Sequence, residues 1–379
     1  MKIALPTRRP GRPLPKSART PIIALAVLLA YALPLLNIPF ITTPDSDFGG
    51  VLFTCASYAL VALGLNIVIG YAGLLDLGYV GFYACGAYTT GVLTANHWHW
   101  PFFLALPVAI AVTMLSGVIL GAPTLRVRGD YLAIVTLGFG EIIRLVITNT
   151  QWLGGSAGIK NIPAPPSIPA NHGDTLSNGL FQIPHLAWVN GQPLIDTGKQ
   201  TRVLTFGVLD AIPFYWLVLT ALIVVLIADI LIKNSRVGRA WEATREDEDA
   251  AELMGVPTFK FKLLAFSMGA AIGGLSGAMF ATRQSFIDPS TFQIILSELF
   301  VAAVVLGGSG NRWGAIAGGV VVAYLPLRFV GFSDWRVLFF GLALMALAIW
   351  RPQGLFPPRR TRRTQAVQAL LKAEEVADA

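Results

Sequence analysis

Ionisable side chains stand inside long apolar stretches of this sequence, among them Asp76, Glu141, Arg144 and Glu298. A charge within a membrane-spanning segment is costly, so such residues usually mark a path for an ion or a polar solute. Glu141 and Arg144 lie three residues apart and can pair on one face of a helix. We interpret that pair as chiefly structural, with a part in gating as the alternative. Glu298 and Asp229 are weaker candidates for the path.

Asp76 stands in a glycine-rich segment that also contains Gly73, Gly78 and Gly81. Glycines at this density in an apolar stretch either let helices pack closely or interrupt a helix. An interrupted helix near the middle of a membrane frees N–H and C=O groups that can face a permeating solute. Packing is the commoner role of such glycines, but Asp76 within the cluster favours an interruption or a turn at the membrane edge.

A dense charged segment, GRAWEATREDEDAAELMG, runs from Gly238 to Gly255 between two long apolar runs. Alanine and glycine at helical spacing predict one helix that docks on a partner, with Ala243, Ala250 and Met254 on a shared face. Small side chains on that face would let the helix sit deep in a groove of the partner. Gly255, followed two residues later by a proline, should end the helix, and a solvated loop is the alternative.

Residues that could carry out catalysis are scarce. No phosphate-binding motif G-x-x-x-x-G-K-[ST] occurs in the sequence, and the glycine-rich stretch 307–314 lacks its lysine. His97 and His99 alternate with tryptophans and have no cysteine or carboxylate nearby, which suits an aromatic belt better than a metal site. Cys55 and Cys85 lie within apolar segments and form no redox motif. We therefore expect a protein that binds and conducts, not an enzyme, with no cofactor and no metal.

Long apolar segments must position these residues. Hydrophobic residues make up 54% of the chain and charged residues 13%, against about 25% charged residues in soluble domains. Several segments reach the roughly 20 apolar residues that cross a bilayer as a helix. The predicted fold class is all-α, a polytopic helical membrane protein with about ten transmembrane segments, some of them broken or re-entrant. These lie near residues 21–39, 50–69, 77–95, 102–121, 131–149, 213–232, 261–281, 294–307, 313–330 and 336–350.

Lysine and arginine near the segment ends predict the orientation. They mark the tails 1–20 and 357–379 and the loop 233–260, so all three should face the cytoplasm. The segment 150–211 is rich in proline, glycine and asparagine, and should be an outer loop that acts as a connector or a contact surface. Residues 21–356 would form a single transmembrane domain. The net charge of +7 reflects this membrane-surface bias and not nucleic-acid binding.

Six stretches carry a resemblance that covers most of the chain, from about residue 50 to 356. They are GLLDLGYVGFYACGAY at 73–88, LRVRGDYLAIVTLGFGEIIR at 125–144, GRAWEATREDE at 238–248, KLLAF at 262–266, VVLGGSG at 304–310 and WRPQGL at 350–355. In this order they resemble the M-type permease subunit of the bacterial high-affinity branched-chain amino acid ABC importer.

The resemblance implies a permease of the bacterial inner membrane, with both termini cytoplasmic, that translocates leucine, isoleucine and valine. The implied partners are an H-type permease subunit, two cytoplasmic ATPase subunits, a periplasmic amino-acid-binding protein and membrane lipid. The spans that resemble the family do not encode which amino acid is carried. The same type of importer for urea, amides or other amino acids is therefore an alternative.

ABC permeases dock their ATPases through a loop of the form E-A-A-x-x-x-G. Asp249–Gly255 has that spacing, with aspartate in place of glutamate and without the I-x-L-P that follows in the broader pattern. The residues implied in ATPase docking are Glu242, Ala243, Asp249, Ala250, Ala251 and Gly255. Gly73–Gly86 would shape the translocation path against the second permease. The residues expected along the path are Gly73, Asp76, Gly78, Gly81, Glu141, Arg144 and Glu298.

Two alternative functions, from other classes of membrane protein, remain open. An ion-coupled secondary transporter would need intramembrane carboxylates arranged as a relay, whereas Asp76, Glu141 and Glu298 are few and scattered. A scaffolding membrane protein would use the charged segment as an adaptor site. ATP-dependent uptake with the expected partners would separate the importer from both.

Overall fold

The computed structural model describes residues 16–36, 47–96, 98–125, 131–166, 182–189, 192–202 and 210–328, together with 206–207, 335, 338, 341–342, 345–346, 349 and 354–356. Contacts divide the chain into two units. One comprises Met1–Thr42 and Ile183–Thr201, and the other comprises Thr43–Gln182 and Arg202–Ala379.

Helices dominate the described residues. They are α1 (Lys16–Leu36), α2 (Phe48–Leu65), α3 (Tyr79–Gly91), α4 (Phe102–Thr124), α5 (Tyr131–Asn149), α6 (Ala211–Lys233), α7 (Arg236–Glu246), α8 (Glu248–Leu253), α9 (Thr258–Gln284), α10 (Ile294–Gly307) and α11 (Arg312–Arg328). Helices α2 and α3 continue into π-helical turns, Asn66–Tyr71 and Val92–Asn96.

The predicted helical membrane fold is confirmed. Helices α1 to α6 and α9 to α11 lie at predicted spans, and most of the last predicted span, 336–350, lies outside the described residues. In the part of the chain that the structure describes, five segments are long and apolar enough to cross a membrane: Phe48–Tyr71, Phe102–Thr124, Tyr131–Asn149, Ala211–Lys233 and Thr258–Gln284. Helix α10 is apolar but only 14 residues long.

Short strands add to this helical fold. In the second unit, β1 (Ile159–Lys160) pairs antiparallel with β4 (Phe286–Ile287) and ties the segment after α5 to the end of α9. Two longer strands, β2 (Gln182–Val189) and β3 (Gln192–Arg202), pair with each other. The segment 150–211, expected as a connector or contact surface, therefore contains sheet that the all-helical prediction did not include.

In the second unit, α9 packs against α3 and α4, and α2 packs against α6 and α11. Lipid provides no hydrophobic drive for helix association, so close van der Waals packing must supply it. Glycines make that packing possible: a Cβ at Gly86 of α3 would overlap the Gly274 backbone of α9, and one at Gly277 would overlap the Tyr83 carbonyl. A Cβ at Gly319 of α11 would likewise overlap the backbone of α2. Glycine packing therefore sets the distances between the central helices.

Candidate functional site

The predicted interruption lies between the second span and α3. The chain runs without helix from residue 72 to 78, and α3 begins at Tyr79. Gly73, with a φ of +74° that glycine adopts without strain, lies against the Arg245 side chain of α7. The Tyr79 hydroxyl donates to the Gly269 carbonyl oxygen at 2.7 Å, a point about 16 Å along α9 from its first residue. Residues 73–79 therefore run from a contact with α7 into the space between the packed helices.

Several backbone donors at this interruption are occupied by the protein itself. Three N–H groups donate to side chains of α5, of α10 or of the segment. The pairs are Leu77 N to Thr136 Oγ1 at 3.1 Å, Gly78 N to Asp76 Oδ1 at 2.9 Å, and Val80 N to Ser297 Oγ at 3.4 Å. These donors are therefore not free to face a permeating solute, which sequence reasoning allowed for a broken helix.

Asp76 and the neighbouring glycines are interior residues. The Asp76 side chain is fully buried, and its Oδ2 has no hydrogen-bond partner among the described residues. A Cβ at Gly78 would overlap the Thr136 carbonyl oxygen, and one at Gly81 would lie 2.9 Å from the Phe139 ring. Gly78 and Gly81 therefore bring α3 against α5, and the glycine cluster combines the interruption with close packing.

The contact at Gly78 predicts that alanine destabilises the protein at this position but not at Gly138. Gly78→Ala should destabilise the purified permease complex by about 1–3 kcal/mol, because its methyl group must displace the α5 backbone. Gly138→Ala is the matched control on α5, where a Cβ would meet nothing within 4 Å. The control should be neutral or stabilising by up to about 1 kcal/mol through helix propensity. Equal thermal unfolding profiles for the two variants would contradict the packing assigned to Gly78.

The remaining ionisable candidates differ in their surroundings. The Arg144 Nε lies 3.0 Å from both Glu141 carboxylate oxygens, so the predicted pair forms, and each side chain is about 30% exposed. Glu298 is exposed on α10 and has no ion pair or hydrogen bond to another described residue. His99 is exposed and His97 lies outside the described residues. The described His, Cys, Asp and Glu side chains form no group of three that could hold a metal ion.

The charged segment folds as two helices, so the single helix expected over 238–255 is wrong. Helix α7 ends at Glu246 and α8 begins at Glu248, because Asp247 between them is extended, with φ −155° and ψ 109°. The Asp247 carboxylate accepts a hydrogen bond from Ala250 N at 2.9 Å and caps α8. Acidic residues after such a cap suit the positive end of a helix. This acidic run was the sequence signal for a second helix start.

The end of α8 follows the sequence prediction. Gly255 is left-handed, with a φ of +83°. Its N–H donates to the Glu252 carbonyl at 2.8 Å, and the Val256 N–H donates to the Ala251 carbonyl at 3.0 Å. These two bonds form a Schellman motif, which closes the helix and turns the chain towards α9.

Most of the expected docking residues lie on the surface of this loop. The exposed ones are Glu242, Ala243, Asp249, Ala250 and Gly255. Ala251 is buried, so it can position α8 but cannot itself touch a partner. Leu253 and Met254, at the tip of α8, are 88% and 84% exposed. Two large apolar side chains this open to solvent are typical of a protein contact.

A shallow groove of about 440 Å³ lies between α7 and the start of α9. It is lined by Arg236, Arg239, Ala240, Ala243, Gly255, Val256, Pro257 and Phe261. Sequence reasoning had identified Ala243 and Gly255 but not the two arginines, because the groove exists only where α7 folds back on residues 255–261. The loop therefore offers small residues, cations and a protruding apolar tip on one side of the molecule.

Helix α7 is held firmly against the interruption. Trp241 is buried, its Nε1 donates to the Phe261 carbonyl at 2.7 Å, and its ring stacks on Tyr71 with centroids 6.5 Å apart. The Arg245 guanidinium donates to the Gly70 carbonyl oxygen. Gly70 and Tyr71 close the second span, so α7 contacts the residues from which the interrupted segment departs.

A buried ion pair extends this contact to α6 and α11. Arg312 Nε lies 3.3 Å from Asp229 Oδ2, and the Tyr71 hydroxyl donates to the same oxygen at 3.2 Å. Lys233 Nζ donates to the Gly310 carbonyl at 3.0 Å and lies 4.4 Å from the centre of the Tyr71 ring. We name these residues the anchor cluster: Tyr71, Asp229, Lys233, Trp241, Arg245 and Arg312.

Partial burial of the guanidinium lowers the pKa of Arg245 below its ordinary value, and the nearby carboxylates of Glu246 and Glu242 oppose that shift. An arginine so placed remains charged, because its ordinary pKa lies far above physiological pH. Asp229, a candidate for the path from sequence, is instead bound to Arg312 within the cluster. That partner lies far away along the chain and could not be identified from spacing.

The chain is similar to several known transport proteins. A family model described as "Branched-chain amino acid transport system / permease component" matches residues 48–348. Over 307 residues the chain is 40% identical to the high-affinity branched-chain amino acid transport system permease protein LivM of Escherichia coli K12, covering 80% of this chain and 68% of LivM. It is 26% identical over 316 residues to the LivH permease protein of Salmonella typhimurium, covering 80% and 93%. No solved structure gives a significant match.

Proposed function

This chain belongs to the branched-chain amino acid transport permease family, and we propose that it is the M-type membrane subunit of a binding-protein-dependent ABC importer for leucine, isoleucine and valine. The observation that carries the proposal is the extent of the family match, which begins at α2 and continues through the α7–α8 loop to residue 348. The match thus includes both the helices that would conduct and the loop that would couple.

Energy would come from separate subunits. The sequence contains no phosphate-binding loop, and the α7–α8 loop presents Leu253 and Met254 to a partner. An apolar helix tip flanked by charges suits docking in a groove, where the charges set register more than affinity. We assign this loop to one of two cytoplasmic ATPase subunits. Both chain termini would lie on the same, cytoplasmic, side.

The second permease would be an H-type subunit. The 26% identity to LivH supports a related fold for the two permeases, and related subunits commonly pair about a two-fold axis. The translocation path would run between them, with a periplasmic amino-acid-binding protein delivering substrate from the outer side. Gly73, Gly78 and Gly81 with Asp76 would shape the wall of this path from within the protein.

Along the path the charged residues have different tasks. The Glu141–Arg144 pair is internally neutralised and would be a polar element of the wall or gate. The Glu298 side chain is exposed and makes no ion pair to a described residue. Among the path residues named, Glu298 is thus the exposed acid without an ion pair to a described residue, whereas Asp76 is enclosed in the interior.

Reconstitution in lipid vesicles tests the proposal. The complete importer should take up labelled leucine only when ATP is present on the ATPase side and binding protein on the other. Isoleucine and valine should compete, and urea and acetamide should not. A cysteine introduced at Ser17 should be labelled from the same side as one at Glu246. Uptake driven by an ion gradient without ATP would contradict the importer assignment, and competition by urea alone would contradict the substrate class.

A further inference from the structure

Helix α10 exposes one narrow strip. Ile295 and Glu298 are exposed, and Val301 and Val305 are half-buried on the same side of the helix. Most other residues of α10 are buried: Ser297, Leu299, Phe300, Ala302, Ala303, Val304, Leu306 and Gly307. Helix α10 is thus packed on most of its circumference, and this strip is the part of it left open to a substrate or a partner.

Glu298 lies well away from the end of α10 that adjoins the anchor cluster. It is about 14 Å along the α10 axis from Gly307, and Gly310, just beyond that end, bonds to Lys233 of the anchor cluster. The neighbouring Ser297 accepts a hydrogen bond from Val80 in the first turn of α3. The distance of about 14 Å is roughly half of the 30 Å of an apolar layer, which would place Glu298 at mid-depth, beside the first turn of α3.

The other acids of the described spans are already satisfied or enclosed. Asp76 is fully buried, and Glu141 is held by Arg144 through both carboxylate oxygens. Asp229 is bound by Arg312 and by the Tyr71 hydroxyl. Among the acidic side chains within the described spans, Glu298 therefore combines exposure with the lack of an ion pair to a described residue.

We propose that Glu298 receives the α-ammonium group of the amino acid as it crosses the membrane. The proposal rests on the function proposed above. A carboxylate at this depth needs a cationic or polar partner, and each transported amino acid supplies an ammonium group. The half-buried Val301 and Val305 on the same strip suit an aliphatic side chain. A single carboxylate gives a weak site, as conduction requires, because the solute must also leave.

The test compares three variants of the reconstituted importer. Glu298→Gln keeps the shape and removes the charge, Glu298→Asp keeps the charge, and Ile295→Ala alters the same strip without touching the charge. Glu298→Gln should lower the maximal rate of labelled-leucine uptake at least tenfold. The leucine concentration for half-maximal uptake, which the binding protein would set, should change less than twofold. Glu298→Asp should regain a third or more of the rate, and Ile295→Ala should stay within twofold of the unmodified importer.

Several results would overturn the assignment. Uptake by Glu298→Gln within twofold of the unmodified importer would show that the carboxylate does not meet the solute. Loss of the second permease from the purified Glu298→Gln complex would show that Glu298 pairs with that subunit instead. An equal loss in Ile295→Ala would make the strip a packing surface. If the unmodified importer takes up no branched-chain amino acid, the proposed function itself fails, and this inference fails with it.

Discussion

Ala250→Arg is expected to release the ATPase subunit from the permease while leaving the membrane helices folded. Ala250 is exposed on α8, so a long charged side chain disturbs no described interior contact there. On a partner that receives α8 in a groove, the same side chain would collide with the groove wall. Leu253→Asp should act in the same direction, because it places a charge at the apolar tip, where the native side chain is 88% exposed.

Both substitutions should weaken ATPase association at least tenfold, about 1.4 kcal/mol or more, as expected for central residues of an interface. Co-purification of the ATPase with tagged permease and titration of detergent-solubilised subunits would measure the change. Ala157→Arg is the matched control: an exposed alanine acquires the same side chain in the segment between α5 and β1. Unchanged association in both Ala250→Arg and Leu253→Asp would mean that the ATPase binds elsewhere.

The helices could be predicted from the sequence because their signal is local. A run of apolar residues of bilayer length must satisfy its own backbone, and α2, α4, α6 and α9 lie where such runs occur. Gly255 is a further local signal, since a left-handed helix end followed by a proline requires no tertiary contact to be recognised.

The contacts between distant segments could not be predicted. Spacing indicated the Glu141–Arg144 pair, but nothing in the sequence joins Asp229 to Arg312 or Arg245 to Gly70. The division of the charged segment at Asp247 was overlooked because helical spacing continues across it, whereas a capping carboxylate interrupts the backbone. The exposure of Glu298 likewise depends on how α10 packs, since apolar residues surround it on both sides in the sequence.

Arg245→Ala is expected to separate ATP hydrolysis from transport. Arg245 joins α7 to the carbonyl of Gly70, and its side chain also lies against Gly73, at the start of the interrupted segment. A movement of α7 imposed by the ATPase would reach that segment most directly through this contact. Without the guanidinium, the ATPase should still dock, because the docking tip at Leu253 and Met254 is unchanged.

The ratio of ATP hydrolysed to leucine transported should therefore rise at least tenfold in Arg245→Ala, with ATPase association within twofold of the unmodified complex. Arg245→Lys should not rescue coupling fully, because a single ammonium lacks the planar, multi-donor geometry of a guanidinium.

Arg239→Ala provides the contrast on the same helix. Arg239 bonds to the nearby Asn234 carbonyl at 3.3 Å and lines the groove, so its loss should affect association more than coupling. If Arg245→Ala transports leucine at the normal ratio, Arg245 does not couple the two processes, and the stacking of Trp241 on Tyr71 is another contact between α7 and the second span that could do so.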